Sequence, residues 1–181
     1  MADLSGARAL PTIVPSPARL LPLAARYSLR GQPPVLAAAV QALGLSYTDK
    51  AACSASHEGR AALWMGPDEQ LLLAPAAAAT EIEELLGTAL SGMAYSLVDI
   101  SHRQVALEIS GPQAEALLCV GCPLDLDIEA FPVGMATRTV LGKASIVLWR
   151  IGPQVFHVEV WRSFTDYLTR FLAEAARELG G

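Results

Sequence analysis

Leu148-Trp149-Arg150-Ile151-Gly152-Pro153 repeats, with one inserted residue, the earlier run Leu63-Trp64-Met65-Gly66-Pro67. Each run closes an apolar stretch on a Gly-Pro turn, and a second apolar stretch follows, Leu71 to Leu73 in the first copy and Val155 to Trp161 in the second. That order of apolar run, turn and apolar run predicts a β-hairpin in both places. A helix is expected after each. From Ala78, the side chains Ile82, Leu85, Leu86 and Ala89 recur at helical spacing, with Glu81, Glu83 and Glu84 toward the end where the helix dipole favours them. After Trp161, Ser163 and Asp166 have the spacing of a capping box, and Tyr167, Leu168, Phe171, Leu172 and Ala175 supply one apolar face. The copies lie about 85 residues apart, too far for a solenoid. The sequence therefore predicts an α+β fold of two related strand-turn-strand-helix lobes that share a sheet or a core.

Working outward, Val105, Leu107 and Ile109 alternate with Gln104, Ala106 and Glu108, the period of a strand with one covered face. Ser110 then suits an N-cap, with Pro112 in the first turn and Gln113 at the capping-box position, so a helix is expected through Ala114, Leu117 and Leu118. Nearer the N-terminus, Val35 to Leu43 is Ala-rich and helix-prone, and Gly44 stands where a helix would end.

Residues 1 to 30 carry Arg8, Arg19, Arg26 and Arg30 against Asp3, a balance of +3 within a net charge of −5, so the remainder carries −8. Pro11, Pro15, Pro17, Pro22, Pro33 and Pro34 crowd the same region and disfavour a long helix or a central strand. The expected organisation is an extended basic, proline-rich arm over 1–34 and a single α+β domain over 35–181, with lobes at about 35–95 and 96–181. The arm lacks the pattern of a secretory signal, and no stretch of about 18 apolar residues is free of charge or proline. Apolar residues make up 52% of the chain and charged residues only 17%, which leaves apolar surface for a partner. With a net negative charge and no Lys/Arg run, nucleic acid is disfavoured, and so is a membrane span. Cys53, Cys119 and Cys122 are an odd number without an export signal, so a disulfide framework is not expected and the cytoplasm is the simplest address.

The groups that could carry chemistry each lack a component. Cys119 and Cys122 have C-x-x-C spacing, but a zinc site wants four ligands, and Cys53, His57, His102 and His157 are scattered singly. Cys119 reads as a buried thiol at the apolar end of a helix. Asp99, Ser101 and His102 are nearly consecutive, whereas catalytic triads are assembled by the fold, and no G-x-S-x-G turn surrounds the serine. Asp125, Asp127 and Glu129 would line one side of an extended segment, a solvated face without the glycine turn of a calcium loop. Trp64, Trp149 and Trp161 read as core or interface anchors. Arg103, at a strand start, suits a carboxylate across a subunit contact and equally a surface salt bridge.

Val98-Asp99-Ile100-Ser101-His102-Arg103-Gln104 through Pro112, continuing into Ala116-Leu117-Leu118, is similar to the strand-and-helix signature of the folate-binding aminomethyltransferase superfamily, which includes the glycine-cleavage T protein. Within it the chain resembles the gamma subunits of heterotetrameric sarcosine oxidase. That closer likeness rests on Gly66-Pro67-Asp68-Glu69, Asp99 to Gln104, Gly121-Cys122-Pro123-Leu124-Asp125-Leu126, Phe131-Pro132-Val133-Gly134 and Trp161-Arg162-Ser163-Phe164, in order across residues 60 to 178. The resemblance implies the aminomethyltransferase folate-binding domain fold. It also implies membership of a complex that oxidises sarcosine to glycine, passes the methyl carbon to tetrahydrofolate and produces hydrogen peroxide. FAD, FMN, NAD, zinc and tetrahydrofolate would belong to the other subunits. This chain would hold no catalytic, cofactor or metal residue and would act in assembly with the alpha, beta and delta subunits. Arg19, Arg26, Arg30, Arg103, Trp161 and Arg162 are the expected partner-interface residues, and self-association of the isolated chain is a further expectation. The alternative is a stand-alone folate-binding or one-carbon-transfer protein.

Overall fold

Both copies of the repeat fold as a hairpin, a 3₁₀ turn and a helix, in a computed structural model that describes residues 18–179. The elements of the first lobe are β2 (Ala24–Gly31), α1 (Pro33–Ala42), β3 (Ser54–His57), β4 (Arg60–Gly66), β5 (Glu69–Pro75), α2 (Ala79–Ala89) and β6 (Tyr95–Asp99). Those of the second are β7 (Gln104–Ser110), α3 (Ala114–Cys119), β8 (Ala136–Leu141), β9 (Ala144–Gly152), β10 (Val155–Trp161) and α4 (Thr165–Leu179). One short strand, β1 (Ala18–Leu20), precedes them all.

The two five-stranded sheets have the same layout. Their orders are β6-β2-β5-β4-β3 and β1-β7-β10-β9-β8, so each strand of one has a counterpart in the other. In the first lobe the outer strand β6 comes from the same stretch of chain, after α2; in the second its counterpart β1 comes from the N-terminal side and pairs antiparallel with β7. This corrects the expected arm. Residues 18–31 are strands of the two sheets, with Pro22 in the turn between them and Pro33 and Pro34 starting α1, positions where a missing N–H removes no ladder bond. The expected arm before Ala18 lies outside the described residues. The lobes also divide after Asp99, since β6 pairs with β2.

Alternation along the strands separates two faces. On the outer face of the first sheet, Tyr27, Leu29 and Leu72 pack with Leu36, Val40, Ile82 and Leu86 of the helices α1 and α2. On the outer face of the second, Leu107, Leu148, Phe156 and Val158 pack with Leu117, Leu168 and Leu172 of α3 and α4. The inner faces meet each other through Ala61, Leu63, Met65, Leu71 and Leu73 on one side and Ala136, Val147 and Trp149 on the other. The order of layers is helices, sheet, sheet, helices. Each fully buried leucine here contributes about 1.5–3 kcal/mol by leaving water.

Backbone hydrogen bonds join the sheets. Ser54 N donates to Gly134 O (2.9 Å) and Ala136 N donates to Ala52 O (2.9 Å), around an isolated bridge between Cys53 and Met135. Gly142, at φ +59°, lets the β8–β9 turn approach α4: a Cβ there would stand 2.5 Å from the Tyr167 hydroxyl, which instead accepts from Lys143 N at 3.0 Å. At the start of α3, Ser110 remains in β7 opposite Val155 and the helix begins at Ala114, so Ser110 is not the expected N-cap. Gly111, at φ +102°, makes the turn between them.

Candidate functional site

The seam between the lobes carries nearly all the chemistry. Arg26 of β2 and Glu159 of β10 are 1% exposed each, and Arg26 Nε donates to Glu159 Oε2 at 2.7 Å. The Arg26 guanidinium also donates to Ala24 O (3.0 Å), and the other carboxylate oxygen of Glu159 lies 2.8 Å from His157 Nε2. Arg26 is thus an internal tie between lobes and not the partner contact expected of it. Burial forces this pairing, because an unpartnered charge inside the seam would cost several kcal/mol.

A second tie runs the other way. Glu69, at the start of β5, receives both Nη1 (3.1 Å) and Nη2 of Arg138 from β8, and Arg30 Nη2 donates to it at 2.8 Å, with Ser28 Oγ at 3.2 Å. Burial would raise the Glu69 carboxyl, but the hydrogen bond and charge of Arg138, followed by the charge of Arg30, outweigh it and hold the pKa below its ordinary value. Glu69 therefore stays ionised at neutral pH.

A cleft lies on each side of the apolar seam. The larger, about 780 Å³, is bordered by Leu21, Leu23, His57, Arg60, Trp149 and Ile151 among others. The smaller, about 570 Å³, contains the Glu69 cluster together with Gln104, Arg103, Val140 and Trp161. Arg103 lies over the Trp161 ring, 5.4 Å from its centroid, and its guanidinium has no ion-pair partner among the described residues. Trp161 is 49% exposed. Arg162 sits beside them, its Nε donating to His102 O at 3.1 Å. At the floor, Gln104 is 6% exposed and its Oε1 is buried without a hydrogen-bond partner.

Of the six residues expected at a partner interface, the fold brings Arg30, Arg103, Trp161 and Arg162 to this side of the molecule. Arg19 lies elsewhere, on the edge strand β1, where it pairs with Glu108 at 3.1 Å. Glu69, Arg138 and Gln104 complete the cluster and were not singled out from the sequence, although Glu69 stands in the Gly66-Pro67-Asp68-Glu69 motif. Arg138 has no local signal, since its partner is 69 residues away.

The other sequence candidates resolve into structural roles. Asp99 Oδ1 accepts from Ser101 N (2.8 Å) and Ser101 Oγ (2.5 Å), while Ser101 Oγ accepts from Arg26 N (2.9 Å). This is a strand-end turn, and the Ser101 bonds hold the Asp99 pKa low. The expected burial of Cys119 is not found: Cys119 is exposed, and Cys122 is the buried member of the pair. The Cys119 thiol is raised by partial burial and then by Glu115, which disfavours a reactive thiolate.

Asp125, Asp127 and Glu129 lie in a loop and not on a strand face. Asp125 Oδ1 caps Asp127 N at 3.0 Å and Asp127 Oδ1 caps Glu129 N at 2.8 Å. Arg150, fully buried against Phe156, pins that loop by donating to Leu126 O, Phe131 O and Glu115. Among the described residues no group of three or more His, Cys, Asp or Glu could hold a metal ion, and no helix is long and apolar enough to cross a membrane.

The layered two-sheet fold is that of an aminomethyltransferase-like domain: a glycine cleavage system aminomethyltransferase T from Bartonella henselae superposes with a TM-score of 0.64 at 16% identity, covering 86% of this chain and 44% of that one. At that identity the likeness is one of fold. Residues 30–178 match the family described as "Sarcosine oxidase, gamma subunit family", and the chain belongs to that family. The sarcosine oxidase subunit gamma of Corynebacterium sp. (strain P-1) is 39% identical over 123 residues, 68% of this chain and 60% of that protein. The match thus spans about three-fifths of the length of that curated relative. A chain of the heterotetrameric sarcosine oxidase of Corynebacterium sp. U-96, solved in complex with pyrrole 2-carboxylate, superposes with a TM-score of 0.83 at 30% identity, over 91% of this chain and 85% of that one.

Proposed function

We propose that this chain is a non-catalytic assembly subunit of a heterotetrameric sarcosine oxidase, working in the cytoplasm with alpha, beta and delta partners. The flavins, NAD, zinc and tetrahydrofolate of such a complex would reside on those partners. The observation that carries this reading is the 0.83 TM-score against a sarcosine oxidase chain over 91% of the length. The internal chemistry agrees with it. The buried charges of the seam are already spent, Arg26 and Glu159 on each other and Glu69 on the half-exposed Arg138, and so hold the lobes in register. Beside the half-exposed Arg30 and Arg138, an Arg103/Trp161/Arg162 patch reaches solvent, of the residue types that dominate protein contacts.

Co-expression of the four chains with and without this one tests the reading. The expected result is loss of the intact complex and of sarcosine-dependent peroxide production when it is omitted; unchanged assembly and turnover would overturn it. A second reading, a folate-binding protein in its own right, is favoured by the 780 Å³ cleft, whose size suits a small-molecule ligand. Titration of the isolated chain with tetrahydrofolate separates the two, since saturable micromolar binding belongs only to the second.

A further inference from the structure

We infer that the 570 Å³ cleft is the socket for an acidic segment of a partner polypeptide, an inference that rests on the subunit reading above. The cleft is bordered by Arg30, Arg103 and Arg138 in a chain of net charge −5, and of the two carboxylates that line it Glu69 is buried and Glu159 is already paired with Arg26. Arg30 and Arg138 are taken up by Glu69. Arg103 is not: its guanidinium lies over Trp161, the residue is exposed and it has no ion pair among the described residues, so it is available to a carboxylate.

Gln104 supplies the second, independent requirement. Its buried Oε1 needs a hydrogen-bond donor, which a free carboxylate does not have. A polypeptide brings both groups at once, a backbone N–H for Gln104 and an acidic side chain for Arg103. Val140 and Trp161, 40% and 49% exposed at the same cleft, give apolar contact to the rest of such a segment. A phosphate-bearing ligand fits less well. The helices, whose N-termini serve phosphates, pack on the outer faces of the sheets, away from this cleft.

The test uses the full chain co-expressed with the other sarcosine oxidase chains, comparing wild type with Arg103→Glu by dissociation constant over a salt series. The expected result is association weakened by at least about tenfold for Arg103→Glu, with a shallower salt dependence than wild type. An Arg103→Glu complex with wild-type affinity and salt slope overturns the socket while leaving the subunit reading intact. A wild-type chain that never joins the complex overturns both. Arg103→Gln, which removes the charge without reversing it, is read in the same way if Arg103→Glu does not melt like wild type, and unchanged affinity there also overturns the socket.

Discussion

The two lobes differ where they face each other and agree where they face their helices. An offset of 86 residues places Ile82 on Leu168 and Leu86 on Leu172, all fully buried against the outer sheet faces. The same offset places Leu73 on Glu159, and the strand partners of these two residues are Arg26 and Ala106. One lobe therefore contributes the buried cation and the other the buried anion, each standing where its counterpart is apolar. A second tie, Glu69 to Arg138, reverses the signs. The comparison teaches that the outer cores are interchangeable solutions to one packing problem, whereas the seam is made specific by charges that identical lobes would lack.

The sharpest way to break the asymmetry is to impose the symmetric residue on each side. Glu159→Leu alone leaves the buried Arg26 charge without its carboxylate, and Arg26→Ala leaves Glu159 with His157 alone; each is expected to cost about 3–5 kcal/mol in urea unfolding at neutral pH. The double variant, apolar in both lobes, is expected to regain most of that loss, because paired buried charges and apolar replacements are often close in stability. Single variants within about 1 kcal/mol of wild type would mean that the pair does not hold the seam.

Equivalence of the outer cores predicts that Leu86→Ala and Leu172→Ala are penalised alike, by about 2–5 kcal/mol each. A large difference between them would show that one lobe carries more of the stability. The chevron of each variant would further show which lobe forms first.

This equivalence was legible in the sequence, since the Gly-Pro hairpins and the helices beyond them obey local rules of period and turn chemistry. Strands β1 and β2 were not, because their prolines suggest an extended arm. Among the described residues Pro22 falls between β1 and β2 and Pro33 and Pro34 start α1, and the alternation of Ala25, Tyr27 and Leu29 with Arg26 and Ser28 is that of a strand. The cleft was half legible: Arg103 and Trp161 stand in recognisable motifs, but Arg138 and Glu69 meet only when the lobes close. Contacts of that kind have no sequence period to betray them.

A smaller effect is expected from acid. The Glu69 carboxyl has a folded pKa below its unfolded value of 4.5, so its contribution is complete above about pH 4.5 and is lost as pH falls through the lower folded value. Glu69→Gln removes that contribution, and its stability profile is expected to be flatter than wild type below pH 4.5, measured by thermal melts across an acid series. An equally steep profile would place the acid sensitivity elsewhere. Smallest of all is the effect of Trp161→Ala on the isolated chain, within about 0.5 kcal/mol for a half-exposed side chain, although the same change is expected to weaken assembly.

The smaller cleft as docking face, with the outer helices as passive scaffold, is tested most directly by hydrogen exchange on the full chain, free and in the assembled oxidase. The account predicts new protection at residues 101–104, along β8 and at Trp161 to Phe164, with α2 and α4 unchanged. Protection confined to the outer helices, with the cleft exchanging as in the free chain, would contradict it.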